Sequence, residues 1–226
     1  MERVVVLDFG GQYNQLIVRR VREAGVYSEL LPHTAPIEQI KGESLSGLIL
    51  TGGPDSVYAE GAKACDSGIF SLGVPVLGIC YGMQYIAKAF DGRIEAAPVR
   101  EYGRTPIRMT EHPLLKGLDS GIVWMNHNDS VFGMPEGFSA IAETDNCPFA
   151  AFADDARKLY GIQFHAEVAH TPKGELIFHN FLKNICGCSC TYSPAGLADT
   201  LIAQIRAQVG EGRVLGALSG LSLIHI

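Results

Sequence analysis

The chain has 226 residues, 47% of them hydrophobic and 19% charged, with 26 Gly and 11 Pro, a balance that excludes a disordered or collagen-like polymer. Its formal charge of −6 argues against a nucleic-acid partner, because proteins that grip a phosphate backbone concentrate basic residues. Six cysteines are too sparse for a disulfide framework, and no apolar run is long enough for a signal-peptide core or a bilayer span, so a cytoplasmic protein with reduced thiols and no membrane contact is expected.

Arg3-Val4-Val5-Val6-Leu7 reads as a strand buried on both faces, followed by a helix over 15–24. Gly47-Leu48-Ile49-Leu50 and residues 74–79 read as two more such strands, the second leading into a helix over 82–90. Continuous apolar runs that end in glycine turns and alternate with helical periodicity predict βαβ units. Between Ile94 and Phe164 the pattern changes to short strand-like pieces rich in turn residues, among them Val123-Trp124-Met125 and residues 159–164, which predicts a mixed region of the sheet. Helical periodicity over 174–185 closes this unit. The fold class is therefore α/β, with a mixed, mostly parallel central sheet flanked by helices.

A different segment begins near Thr191. Ser193 is suited to cap a helix with Pro194 at its first position, and Leu197, Leu201, Ile202, Ile205 and Val209 follow at helical spacing up to Gly210. Residues 213–220 read as one more buried strand running into a glycine turn. A length generous for one domain and short for two is thereby divided into a complete domain over 1–187 and, over 188–226, a linker helix with the first strand of a second domain. An unpaired strand there would offer an edge for self-association, so a homo-oligomer stays open.

The most informative stretch is Gly78-Ile79-Cys80-Tyr81-Gly82, where a buried strand meets a helix at one cysteine. Small residues two positions to each side of a nucleophile mark the elbow of α/β hydrolases, and the glycines would let the chain turn sharply. A thiol at that tip sits at a helix N-terminus, whose partial positive charge favours the thiolate. A lone cysteine is more often structural; the paired glycines and the strand-to-helix switch set this one apart. His165 and Glu167, two apart at the end of a predicted strand, would point the same way in extended chain, so that the carboxylate orients the imidazole. Thr51-Gly52-Gly53-Pro54 follows another buried strand, and its amides are candidates to hold an oxyanion.

With Asp8-Phe9-Gly10-Gly11-Gln12-Tyr13, Trp124-Met125-Asn126-His127 and Gly161-Ile162-Gln163-Phe164-His165-Ala166-Glu167-Val168 added, the chain resembles the class I (triad) glutamine amidotransferases, a flavodoxin-like fold. Within that class it is most similar to the glutaminase domains of glutamine-hydrolysing GMP synthases, over roughly residues 1–190. The resemblance implies that Cys80 attacks the carboxamide of L-glutamine, that His165 backed by Glu167 shuttles the proton, and that Gly53 and Tyr81 amides hold the oxyanion. It also implies that Gly52, Gly53, Gln84, Asn126 and His127 hold the α-amino and α-carboxylate groups. A partner ATP pyrophosphatase (GMP synthetase) domain or subunit would bind ATP and magnesium, with neither metal nor cofactor in this chain.

Two departures bear on these expectations. Ala166 stands where the family has proline, removing a residue that fixes φ and so loosening the triad turn. Ser219-Gly220-Leu221-Ser222-Leu223 begins like a pyrophosphate-binding loop and then fails, so no ATP site is assigned there. Cys186, Cys188 and Cys190 have soft-metal spacing, although a helix end tolerates such thiols without metal; Cys65 and Cys147 carry no motif. Two other functions remain open: a γ-glutamyl hydrolase of the same fold, and a module inactive until a synthetase docks.

Overall fold

The computed structural model describes residues 2–210 and 212–213; apart from Arg213, the strand expected over 213–220 and its Ser219-Gly220 turn lie outside the described residues. The chain divides into the units Met1–Thr191 and Tyr192–Ile226. In the second unit α-helical structure spans Pro194–Val209, with Ser193 Oγ accepting a hydrogen bond from Gly196 N at 3.1 Å, as the cap signal predicts.

The first unit begins β1 (Arg3–Asp8), α1 (Asn14–Glu23), β2 (Tyr27–Pro32), α2 (Ile37–Ile40), β3 (Leu45–Leu50), β4 (Val76–Ile79) and α3 (Tyr81–Ala89). It continues β5 (Arg93–Met109), β6 (Gly121–Gly133), β7 (Ser139–Glu143), β8 (Ala151–Asp154), β9 (Leu159–Ile162) and α4 (Glu175–His179). The nine strands form one sheet in the order β2-β1-β3-β4-β9-β8-β7-β5-β6. β2, β1, β3, β4 and β9 are parallel neighbours, and the remaining pairings are antiparallel.

The parallel strands are buried on both faces, which is why they read as unbroken apolar runs. Val4, Val6, Ile49, Leu77 and Ile79 face one core, filled from outside by Ile17, Val18 and Val21 of α1 and by Ile177, Phe178, Phe181 and Leu182. Val5, Leu7, Leu48, Leu50 and Val76 face the other, against Met83, Ile86 and Ala87 of α3. Each such side chain contributes about 1.5–3 kcal/mol when fully buried. β1 connects through α1 to β2 on one side, whereas β3 lies on its other side. That reversal opens a crevice at the carboxyl ends of β1 and β3, where ligands of open α/β sheets bind.

Two local expectations are corrected. The short pieces expected between Ile94 and Phe164 include two long strands, β5 of 17 residues and β6 of 13, paired as an antiparallel ribbon. Pro98 falls in a break of that ladder between Ala96 and Glu101, where no donor is needed, so it punctuates the sequence without ending the strand. The helix expected over 174–185 is α4 followed by a π-helical turn, Asn180–Ile185, in which Cys186 N reaches Phe181 O at 2.8 Å. At its start the buried Asn180 amide donates to Leu114 O and Lys116 O, tying the turn to a neighbouring loop. No helix among the described residues is long and apolar enough to cross a membrane.

Candidate active site

Cys80 is the residue between β4 and α3, and its own backbone takes φ 53°, ψ −106°. That region costs a non-glycine residue of order 1–3 kcal/mol and persists where the surroundings over-determine it. The flanking glycines do not make the turn: neither has positive φ. They supply room. A Cβ on Gly78 would lie 2.4 Å from Gly82 C, and one on Gly82 would lie 2.3 Å from Leu50 O. Cys80 N donates to Ile162 O at 2.8 Å and Gly82 N to Thr51 O at 3.1 Å, so the elbow is hung between β9 and the end of β3.

β9 ends at Ile162, so His165 and Glu167 stand in a bend beyond the strand and not in extended chain. They still meet: His165 Nδ1 lies 2.7 Å from Glu167 Oε1, with both side chains buried. The ring and the Cys80 thiol wall the same cavity. Burial works to lower the His165 pKa; the hydrogen bonds and negative charge of Cys80 and Glu167 outweigh it and raise it to about 10. The line from sulfur through imidazole to carboxylate is the arrangement that nucleophilic acyl transfer requires. Ala166 is expected to loosen this bend, yet long-range bonds pin it. His165 N donates to Trp124 O at 2.9 Å, Thr171 Oγ1 bridges His165 O and Trp124 N, and Arg20 Nε of α1 donates to Glu167 O at 3.0 Å.

Cys80 sits between two cavities. One, of about 230 Å³, is walled by Gly53, Tyr81, Gln84, Asn126, His127 and Asp129, among others. The other, of about 90 Å³, lies on the His165 and Glu167 side and includes Gly52, Gly53 and Asn126. The backbone amides of Gly53 and Tyr81 donate to no carbonyl of the described residues.

The structure thus brings the expected catalytic and glutamine-binding residues to one crevice, though their side chains are differently engaged. Gln84 spends its amide nitrogen on Asp129 O and Gln163 Oε1. His127 is committed at both ring nitrogens, Nδ1 to Asp129 O and Nε2 to Glu101 Oε2 at 3.1 Å, and so supports the wall without offering a ring nitrogen to a ligand. Burial alone would raise the Glu101 pKa, and the bonds from His127 and Thr144 hold it below the ordinary carboxylate value.

Two residues escaped the sequence reading. Asp129 lines the larger cavity, its carboxylate held by the Ser56 hydroxyl and by Tyr58 Oη at 2.8 Å. Gln163, fully buried, donates from Nε2 to Cys80 Sγ at 3.5 Å. Asp129 lies two residues after His127 in β6, so strand parity carried a faint signal for it; Gln163 lies beyond the end of β9, where no such parity holds.

Among the described residues the one cluster of metal-ligating side chains within 4.8 Å is Glu101, His127 and Cys147, not the 186–190 cysteines. Burial pushes the Cys147 thiol up to about 12, which keeps it protonated and poor as a ligand. Burial likewise pushes Cys65 to about 11. The six cysteines are free thiols.

Comparison with known proteins adds to this geometry. The family described as "Glutamine amidotransferase class-I" matches residues 5–185. The chain belongs to the class I glutamine amidotransferase family. Relatives named GMP synthase [glutamine-hydrolyzing] from Clostridium perfringens and Caldicellulosiruptor saccharolyticus are 51% and 52% identical over 96% and 97% of the chain, which spans only 43% of either relative's length. A solved structure of a Thermoplasma acidophilum protein, described as one subunit of a putative GMP synthase, superposes with TM-score 0.75 at 32% identity, over 89% of this chain and 98% of that one. A Thermotoga maritima glutamine amidotransferase shares the fold at TM-score 0.60 and 20% identity, over 92% of each chain. In this amidotransferase the nine-stranded mixed sheet is the family fold.

Proposed function

We propose that this chain is the glutaminase component of a glutamine-hydrolysing GMP synthase, releasing glutamate and ammonia from L-glutamine. The observation that carries the reading is the strained Cys80 at the head of α3, sharing one cavity with a His165 that Glu167 orients. The α-amino group of glutamine pairs with Asp129, and its α-carboxylate meets the polar wall near Asn126. The side-chain carbonyl points at the Gly53 and Tyr81 amides, which are positioned to stabilise a tetrahedral oxyanion.

Cys80 Sγ attacks the carboxamide carbon. The C–N bond breaks as His165 protonates the leaving nitrogen, giving ammonia and a glutamyl thioester. His165, now neutral, takes a proton from water, which attacks the thioester and frees glutamate and the thiolate. Gln163 stabilises the thiolate by donating its amide hydrogen.

The ammonia goes to an ATP- and magnesium-dependent synthetase domain or subunit that aminates XMP to GMP, as supported by the name shared by relatives about half identical and twice as long. A two-chain enzyme also has a precedent in the Thermoplasma acidophilum protein, which is described as a subunit. No cofactor is required for the glutaminase half itself.

The test is glutamate release by wild type and Cys80→Ala with glutamine or γ-glutamyl peptides, each with and without an ATP pyrophosphatase partner and XMP. Release from glutamine that disappears in Cys80→Ala supports the reading. A preference for peptides would replace it with a γ-glutamyl hydrolase, and activity only with the partner would identify a dependent module.

A further inference from the structure

Two of the residues that wall the smaller cavity beside Cys80 each carry a buried oxygen without a hydrogen-bond partner. Glu167 Oε1 accepts from His165, which leaves Oε2 buried without a partner. Asn14, at the start of α1, gives its amide nitrogen to Asp8 Oδ1; a carboxylate can only accept, so Asn14 Oδ1 is the free end, and it too is buried and unpartnered. Asn14 is 7% exposed and Glu167 1%, and both line the same cavity of about 90 Å³. Native proteins rarely leave buried acceptors without a partner.

The lining has a definite chemical character. Beside Gln12, Tyr13 and Asn126 it includes the two residues with unsatisfied acceptors, one of them charged, and no lysine or arginine. A small molecule made of hydrogen-bond donors fits it: the volume is enough for one to a few molecules of water size, each occupying roughly 30 Å³ of liquid. The position is equally specific. Asp129 and the larger cavity lie to one side of Cys80, while this cavity adjoins the imidazole that gives the leaving nitrogen its proton.

We propose that this pocket receives the ammonia split from glutamine, held between Asn14 Oδ1 and Glu167 Oε2, and so forms the first station on its way out of the site. The inference rests on the glutaminase reading. When the C–N bond breaks, the nitrogen keeps the bonding pair and takes one proton from His165, leaving as neutral ammonia with three N–H donors. His165 is then neutral, and the Glu167 charge that faced it is free to attract a donor at that moment. Asn14 acts here as a positioning residue for the product, not in bond making.

Ammonia held against the thioester can attack it and remake glutamine, the reverse of acylation, in competition with water. During turnover of unlabelled glutamine by the 226-residue chain in ¹⁵N-ammonium chloride, label should enter the glutamine amide, and the ratio of labelled glutamine to released glutamate reports occupancy of the pocket. Asn14→Leu should lower that ratio about tenfold, as expected for loss of one hydrogen bond. Asn14→Ala, which adds no bulk, should do the same, with melting curves confirming a folded chain. Asn14→Thr, whose hydroxyl can donate to Asp8 while its lone pairs face the cavity, should restore most of it. A ratio unchanged in the Leu and Ala variants, whether or not both rates fall together, overturns the inference and points to a water or purely structural role. Glutamate release without label in the wild type overturns it as well. No glutamate release at all, with or without an ATP pyrophosphatase partner and XMP, sinks the glutaminase reading and this inference with it.

Discussion

A methyl group on Gly78 would stand 2.4 Å from the carbonyl carbon of Gly82. The two glycines that bracket the nucleophile are thus in mutual contact, and Gly82 in turn lies against Leu50 O of the neighbouring strand. Gly78→Ala and Gly82→Ala should each destabilise the protein by about 3 kcal/mol, because the obstructing atoms are backbone and cannot step aside. For a chain this long that is a fall of roughly 6–12 °C in melting temperature. Gly52→Ala is the contrast: its Cβ would find His165 Cε1 at 3.5 Å and Cys80 Cβ at 3.7 Å, ordinary contacts. Thermal melts should show Gly52→Ala within about 1 kcal/mol of wild type.

The His165 pKa, raised to about 10 against an ordinary 6.5, ties stability to pH. A proton bound more tightly in the folded than in the unfolded chain stabilises the fold fully below pH 6.5, and that contribution is lost as pH rises from there through 10. Unfolding midpoints should therefore fall on the alkaline side. Glu167→Gln removes one of the two partners that raise the value, so its decline should begin at the same pH, end at a lower one and be smaller. The alkaline limb of kcat/KM for glutamine should shift down in the same variant. A stability profile identical for both proteins between pH 7 and 10 would refute the coupling.

Gln163 Nε2 donates to the nucleophile sulfur from a fully buried position, and its own oxygen is held by Gln84. Gln163→Met keeps the volume and removes the donor. Alkylation of Cys80 by iodoacetamide at neutral pH should slow about five- to tenfold, the worth of one hydrogen bond to a charged or polarisable atom. Unchanged alkylation with normal folding would deny Gln163 a part in stabilising the thiolate.

Asp129 is assigned the α-amino group of glutamine. Asp129→Asn keeps the shape and the capacity to bond Ser56 and Tyr58 while removing the charge, so KM for glutamine should rise about 10- to 100-fold, matching 1.5–3 kcal/mol for a charged hydrogen bond. The turnover number should change far less, since the group lies away from the breaking bond. A fall in kcat at constant KM would move Asp129 out of substrate binding.

Legibility from sequence was uneven along the chain. The parallel strands were readable because burial on both faces forces unbroken apolar runs such as Val4-Val5-Val6-Leu7, and the elbow because close backbone approach admits nothing larger than glycine at 78 and 82. The long β5–β6 ribbon was obscured by Pro98, which looks like a strand breaker until its ladder partner is known to be missing. The restraints on the bend at Ala166 were not legible, because they come from Trp124, Thr171 and Arg20 and not from the residue's own φ.

The residue pattern alone carries the nucleophile, its histidine and its carboxylate, since strand period, turn chemistry and spacing are properties of neighbouring residues. Folding decides which distant groups join them. Arg20 meets Glu167 across 147 positions and Gln163 meets Cys80 across 83. Asn14 and Glu167 share one cavity because the sheet sets the carboxyl ends of β1 and β9 on the same edge. No local periodicity encodes those meetings. They follow from strand order, and with them come the raised His165 pKa, the committed ring of His127 and the two unsatisfied oxygens beside the triad.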